Sequence, residues 1–360
     1  MNNADERPRL RVDSVAGLLA AVPHLMGFTP ASSLVVLGIT GGNLVSVALR
    51  CDLPDPPSGS DAAEIAAHAI GVLAREQLPG TVAIGYGPGR LVTPLIDAVR
   101  AAAARAGLRL RDLLRVQDGR YWSYQCADPG CCPAEGVPFD PGSHPVARAL
   151  IAEGQLALPG IDAVAAMITP VTGAGAAAMR PATGHAERAA SRLLATGGPG
   201  LLIREGLAAV SHAIRTYRDG GTITSPLRHA WLAVVLTRLQ VRDDAWARME
   251  PAHHDAHQRL WTDLVRRAQP GYAAAPACLL AITAWQAGHG ALARIATERA
   301  LADEPSYSMA LLIREMLDRA LPPSMATPPM TPEEVAASYA EPRIISPADP
   351  GGQDHRDERL

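Results

Sequence analysis

Three of the five cysteines of this 360-residue chain stand close together, at Cys126, Cys131 and Cys132. Thiolate is a soft metal ligand and a strong nucleophile, so such clustering suits metal binding, a disulfide or redox chemistry. The preceding residues are aromatic: Tyr121, Trp122 and Tyr124. The segment 121–135 is therefore the part of the chain best equipped for chemistry.

Three interpretations of these cysteines are open from the sequence. A structural zinc site usually has four ligands in Cys-x-x-Cys pairs, whereas the spacing here is Cys-x4-Cys-Cys, so zinc would need a fourth ligand such as His144. Alternatively, Cys126 forms a disulfide with Cys131 or Cys132 across the turn 128–130, which would be labile in a reducing compartment. In the third interpretation the thiols are small buried hydrophobic groups in a fixed loop.

A second group of residues could line a small-ligand pocket at the sheet edge beside the cysteines. It consists of His24, Arg90 and Trp122. Arg90 ends the glycine-rich turn 85–90, where exposed amides at a helix start could hold an anion. The glycine spacing does not match a dinucleotide site, so we interpret this turn mainly as a strand-to-helix connection.

A pair of histidines four residues apart, His253 and His257, could face one metal ion on a helix. The metalloprotease glutamate is missing and Pro251 precedes the pair, so the sequence favours a solvated turn here.

The composition excludes several classes of function. The chain has no lysine, which excludes a Schiff base or a P-loop lysine. Its net charge is -3, which argues against nucleic-acid binding through a basic face. The N-terminus is acidic, and the uncharged run 163–179 is interrupted by proline and glycine. We therefore predict a cytoplasmic protein with no membrane segment.

The first half of the chain has mixed strand and helix patterns. Strands over 34–39 and 44–49 flank the turn 40–43 and predict an antiparallel hairpin. Four further elements follow: a helix over 61–77, a strand over 81–85, a helix opening at Thr93-Pro94, and a hairpin over 113–125 turned at Asp118-Gly119. This order predicts an α/β domain with a mixed sheet.

The second half predicts helices. One starts at Ser225-Pro226, and others are expected over 258–268, 274–287, 290–302 and 306–320. The resulting division is an α/β domain over 1–182, a flexible junction over 183–200, an all-α helical domain over 201–321 and a disordered tail over 322–360.

Small residues in the last helices match the spacing of one tetratricopeptide repeat. The matching positions are Leu280, Ala281, Gly288, Ala293, Ala300 and Pro305. Ala284 and Thr297 occupy positions that are usually bulky, so the repeat is degenerate. We expect a helical hairpin packed on its own domain, with a groove for a protein partner as the alternative.

Several segments carry a family resemblance. They are 22–30 (VPHLMGFTP), 33–38 (SLVVLG), 121–126 (YWSYQC), 131–136 (CCPAEG), 229–232 (HAWL), 241–246 (VRDDAW) and the run 260–317. On these residues the chain resembles the domain of unknown function 4192 family of high-GC Gram-positive bacteria. The resemblance implies a fold and no activity.

The sequence contains no complete catalytic set, so it predicts a non-catalytic binding or protein-interaction module, with any protein partner bound through the helical domain. The alternative is a small-ligand sensor or an enzyme with its pocket near the cysteines. The sequence assigns no cofactor; zinc is the candidate if the cysteines bind a metal ion.

Overall fold

The computed structural model describes residues 14–42, 44–53, 59–326 and 330–340. Two compact units divide between Val164 and Ala165. The first contains a mixed sheet and the second consists of helices, which confirms the predicted fold class. Among the described helices, none has the length and apolar character that crossing a bilayer requires.

The N-terminal unit contains a six-stranded sheet. Its elements are α1 (Val15–Met26), β1 (Ser33–Ile39), β2 (Val45–Asp52), α2 (Gly59–Arg75), β3 (Gly80–Tyr86), α3 (Gly89–Ala106), β4 (Leu110–Gln117), β5 (Arg120–Ser123), β6 (Val137–Pro138), α4 (Pro145–Ala152) and α5 (Ile161–Ala166). The strand order is β2-β1-β3-β4-β5-β6. Only β3 and β4 pair in parallel among these described strands; the other neighbours are antiparallel.

The two faces of this sheet pack against different helices. Leu34 and Ala83 belong to the core beneath α2 and α3, while Val35 and Ile84 belong to the core beneath α1. Since successive strand residues point to opposite faces, β1 and β3 are covered on both sides. The predicted β1–β2 hairpin is confirmed; Asn43 of its turn lies outside the described residues.

Helix α3 begins earlier than predicted. Its first residue is Gly89, preceded by Pro88 as N-cap, so the Thr93-Pro94 pair lies inside the helix. Leu91 and Val92 are buried in the core beneath the helix, and helical conformation at 89–92 is what directs them there. This burial outweighs the single backbone hydrogen bond that an internal proline removes.

The C-terminal unit is helical throughout its described residues. Its elements are α6 (Gly173–Arg218), α7 (Pro226–Val235), α8 (Leu239–Ala247), a 3₁₀ turn (Pro251–His253), α9 (His254–Arg267), α10 (Ala274–Gln286), α11 (Gly290–Asp303), α12 (Ser308–Asp318), a second 3₁₀ turn (Pro323–Ala326) and α13 (Pro332–Ala340).

The domain limits differ from those predicted. The units divide after Val164 rather than after residue 182, and the expected flexible junction 183–200 lies within α6. Alanine has the highest helix propensity, and small residues at helical spacing are buried on one face of this segment, including Ala182, Ala186 and Ala190. The one break in α6 is at Gly198, whose φ of 68° kinks the helix.

The expected disordered tail 322–360 contains helix α13. Val335 is buried, and the Tyr339 hydroxyl donates a 2.6 Å hydrogen bond to Asp243 Oδ2 on α8. Packing of a short apolar face thus outweighs the polar composition of the segment. Residues 341–360 lie outside the described part.

Helix α10 lies in the interior of its unit. Every residue from Ala274 to Trp285 is buried. The helix packs against α11, whose Ala293 and Ala300 are fully buried as well. Small side chains allow helices to approach closely, which agrees with a hairpin packed on its own domain. Its assignment as a tetratricopeptide-like repeat stays a prediction.

The start of α10 is capped from the end of α11. The Asp303 carboxylate accepts backbone hydrogen bonds from Gly271 (2.9 Å), Ala273 (2.8 Å) and Ala274 (3.2 Å). The amide of Ala274, the first helical residue, is among those that a helix cannot satisfy internally, and Ala273 and Gly271 lead into the helix.

We expect Asp303→Ala to lower the free energy of unfolding by about 1–2 kcal/mol, because three amides lose their acceptor. Urea unfolding would measure the change. Asp318→Ala is a matched control, since Asp318 forms an ion pair with Arg294 in which both side chains are about half exposed; its loss should cost less than about 0.5 kcal/mol. Equal effects of the two substitutions would contradict the capping role.

His257 is a core residue, so the predicted solvated turn is wrong for this side chain. It is 2% exposed and stacks on Trp261 at 6.2 Å between ring centroids. Burial lowers the pKa of His257 to about 4, and the charges of His254, His253 and Arg218 act in the same direction. The imidazole is therefore neutral in the folded protein at neutral pH.

Because this pKa is lower in the folded than in the unfolded chain, folding stability should fall as pH drops from about 6.5 to 4. His257 accounts for roughly 3 kcal/mol of that loss. Urea unfolding of the wild type and His257→Leu at pH 7 and pH 4.5 would isolate this contribution. The free energy of unfolding should decrease less between pH 7 and pH 4.5 in His257→Leu than in the wild type; equal decreases would contradict this role of His257.

Candidate metal centre

The cysteines lie in a loop held between two strand pairings. Strands β4 and β5 form the predicted hairpin turned at Asp118-Gly119. The chain then runs through residues 124–136, here called the cysteine loop, and returns as β6, which pairs with Arg120 and Tyr121 of β5. Both ends of the loop are thus attached to the same short strand.

The loop brings the three cysteine sulfurs together. The Sγ atoms of Cys126, Cys131 and Cys132 all lie within 4.8 Å of one another, and those of Cys131 and Cys132 are 3.9 Å apart. All three are free thiols; Cys131 is exposed and the other two are half-buried. This exposure does not fit the interpretation of the thiols as small buried hydrophobic groups.

The first end of the loop is fixed by the Ser123 hydroxyl. It donates a 3.0 Å hydrogen bond to Asp112 Oδ1 on β4. Ser123 Oγ also accepts hydrogen bonds from the backbone N–H groups of Gln125 and Cys126, each at 3.2 Å. The chain therefore turns away from the sheet immediately after β5 and places Cys126 beside it.

A tight turn at Asp128 brings the other two cysteines back toward the first. The Asp128 carbonyl accepts from the amides of Cys131 (3.2 Å) and Cys132 (2.7 Å). Its Oδ1 accepts from the Gly130 amide at 2.9 Å. These bonds position the adjacent cysteines close to Cys126.

The far end of the loop is anchored on Trp122. The indole Nε1 donates to the Ala134 carbonyl at 3.0 Å, and Arg120 Nη1 donates to the Gly136 carbonyl at 2.7 Å. Gly136 has φ of 83°, and a Cβ there would lie 2.5 Å from the Trp122 ring. The backbone can contact the indole this closely only because residue 136 is glycine.

The thiols influence one another's ionisation. The pKa of Cys126 is lowered, first by a hydrogen bond from the Asp128 amide and then by the Cys132 thiol. The pKa of Cys132 is raised to about 12, first because its thiol donates to Cys126 and second by desolvation. Cys126 therefore ionises before Cys132, and its negative charge opposes ionisation of the Cys132 thiol.

The protein-family model described as Domain of unknown function (DUF4192) matches residues 16–324 of this chain. The chain belongs to this family. No curated protein and no solved structure matches it significantly. The whole cysteine loop of this DUF4192 protein lies within the matched residues, and the family assignment adds no activity.

His144, the predicted fourth metal ligand, is engaged elsewhere in the DUF4192 fold. Its Nδ1 accepts a 3.2 Å hydrogen bond from the Val146 amide and caps α4. Its ring also lies next to Gly17 of α1. The group of potential ligands that the described structure brings together consists of the three cysteines, without His144.

The three residues of the predicted ligand pocket lie on different elements. His24 belongs to α1, and its Nδ1 is 2.6 Å from the Gln155 carbonyl oxygen. Trp122 lies on β5, and Arg90 is exposed in the first turn of α3. Since α1 and α3 pack on opposite faces of the sheet, the structure does not bring His24 to the face that carries Arg90.

Sequence reasoning missed Arg115. Its guanidinium lies over the Trp122 ring at 3.7 Å from the centroid, and it also contacts the surface of α3 at Gly89. Arg115 stands directly opposite Trp122 in the β4–β5 register, so counting residues back across the predicted Asp118-Gly119 turn would have found the pair. Arginine stacked on the indole fixes the side chain that anchors the loop.

We expect Gly136→Ala to disrupt the cysteine loop for two reasons. Alanine rarely adopts the positive φ of this position, and its Cβ would clash with the Trp122 ring. The loss of unfolding free energy should be about 1–3 kcal/mol, measured by urea unfolding. Gly142→Ala is the control, since a Cβ there meets only Asp140 Oδ1, at 3.5 Å, and Gly142 has no positive φ. A Gly136→Ala protein as stable as Gly142→Ala would contradict this packing.

Proposed function

We propose that this protein is a non-catalytic binding module whose N-terminal unit binds a thiophilic metal ion through Cys126, Cys131 and Cys132. The observation that carries the proposal is the approach of the three Sγ atoms to within 4.8 Å of one another. Soft thiolate ligands favour zinc and copper(I) over hard cations.

The distance between neighbouring sulfurs suits zinc. Tetrahedral zinc with Zn–S bonds of about 2.3 Å has sulfurs about 3.8 Å apart. The Sγ atoms of Cys131 and Cys132 are separated by 3.9 Å, although these residues are adjacent in sequence. Adjacent cysteines thus reach the spacing that one ion requires.

The protein's own hydrogen bonds support this proposal. Ser123 and Asp128 hold the loop backbone, and the Asp128 amide favours the thiolate of Cys126. A loop ordered in advance loses less conformational entropy when it binds an ion. A bound ion would cross-link positions 126 and 132 and reinforce the loop.

The described residues supply three sulfurs to this cluster and no further histidine, cysteine or carboxylate. A zinc ion would complete its coordination with a ligand from solvent, whereas copper(I) is satisfied by three thiolates. An open position also occurs in catalytic zinc sites. We assign a binding role because the sequence lacks a recognisable general base or nucleophile motif beside the cysteines.

A cytoplasmic location belongs to the same proposal, because thiols stay available for metal binding in a reducing compartment. A protein partner bound through the helical unit also stays a proposal; the interior position of α10 directs the search for it to other helices.

The test is metal binding by protein purified with reductant. We expect one equivalent of zinc by elemental analysis, and sulfur-to-metal charge-transfer absorption when cobalt(II) is added. Cys126→Ser should weaken zinc binding by at least about tenfold, since one of three anionic ligands is lost. Cys51→Ser is the matched control, because Cys51 lies on β2 outside the cluster.

Stability provides a second readout. Zinc at 100 times its dissociation constant should raise the free energy of unfolding of the wild type by about 2.7 kcal/mol, with a much smaller gain in Cys126→Ser. Absence of charge-transfer absorption, or equal zinc affinity in the wild type and Cys126→Ser, would contradict the proposal.

A further inference from the structure

The helical unit contains a surface pocket between α6 and α7, distinct from the cysteine loop. Its volume is about 330 Å³. The lining residues are Ala209, His212 and Ala213 of α6, Ile223 of the connecting segment, and Leu227, Arg228, Trp231 and Leu232 of α7. Residues three and four apart on each helix contribute, so the pocket is formed by two facing helix surfaces.

The floor of this pocket is apolar. Ile223 and Leu232 are buried, whereas Leu227 is 51% exposed and Trp231 is half-buried. Covering the exposed parts of Leu227 and Trp231 would remove apolar surface from water, which favours a ligand with an apolar body. The alanines at 209 and 213 leave the space that such a body would fill.

Two basic groups stand at the rim of this floor. Arg228 and His212 are both exposed, and no hydrogen bond or ion pair within the described part of the chain engages either side chain. The pocket itself contains no carboxylate. Its polar groups therefore match an anion, and the arginine fork suits a carboxylate in particular.

We propose that this pocket binds a small organic anion with an apolar body, such as a medium-chain carboxylate. The apolar part lies against Trp231 and Leu232, and the carboxylate accepts hydrogen bonds from Arg228. The volume falls in the range of small-molecule sites, about 300–1,000 Å³, so the occupant is a small molecule rather than a helix of another protein. This inference is independent of metal binding by the cysteines.

Isothermal titration calorimetry of the full chain with octanoate, and with octanol as the neutral probe, tests this site. We expect saturable octanoate binding with clearly weaker octanol binding. Arg228→Gln should raise the octanoate dissociation constant by about tenfold, the effect of one lost charge-assisted hydrogen bond. The same substitution should leave the octanol dissociation constant within about twofold of the wild type.

Arg204→Gln is the matched control, because Arg204 is an exposed arginine of α6 that does not line the pocket. Leu227→Gln, also at an exposed position, should weaken the binding of both octanoate and octanol. This result would locate the part of the pocket that contacts the apolar body of the ligand. Circular dichroism confirms that each variant is folded.

Three outcomes would overturn the proposal. They are no saturable octanoate binding, octanol binding as tight as octanoate binding, and equal octanoate affinity in Arg228→Gln and Arg204→Gln. Tight octanol binding would identify an apolar docking surface instead of an anion site. An unaltered octanoate affinity in Cys126→Ser is expected, since no cysteine lines the pocket.

Discussion

The candidate site depends on the anchoring of the cysteine loop to the β4–β5 hairpin. Ser123 connects Asp112 of β4 to the amide of Cys126, and Trp122 binds the returning chain at Ala134 and Gly136. Hydrogen bonds in this strand pair therefore set the path of a loop that has little apolar core of its own. The clustering of the sulfurs follows from that path, because the turn at Asp128 reverses the chain between Cys126 and Cys131.

The sheet and its hairpins could be predicted because they follow from local rules. The turn residues 40–43, which include Gly-Gly-Asn, and the pair Asp118-Gly119 predict the β1–β2 and β4–β5 hairpins, and the observed pairings agree. Packing between distant residues explains why the predicted start of α3 and the predicted junction 183–200 were wrong. Burial of Leu91 and Val92 moved the start of α3 ahead of Thr93-Pro94, and packing of alanine faces keeps the expected junction 183–200 helical up to the kink at Gly198. In each case tertiary burial outweighed local preference.

The candidate site could be predicted only in part. The cysteines were identified from their residue type, but spacing alone could not show that a turn at Asp128 brings Cys131 and Cys132 back to Cys126. His144 was a reasonable fourth ligand from sequence distance, yet its imidazole caps α4. Arg115 was missed because its significance depends on strand register, which places it across from Trp122. The site is therefore a product of chain path rather than of a recognisable motif.

The most direct test of the metal site is zinc K-edge X-ray absorption spectroscopy on the zinc-loaded full chain. The three-thiol arrangement predicts about three sulfur scatterers at about 2.3 Å and one lighter atom in the first shell. A first shell made only of nitrogen and oxygen at about 2.0–2.1 Å would contradict it, because the metal would then be bound away from Cys126, Cys131 and Cys132.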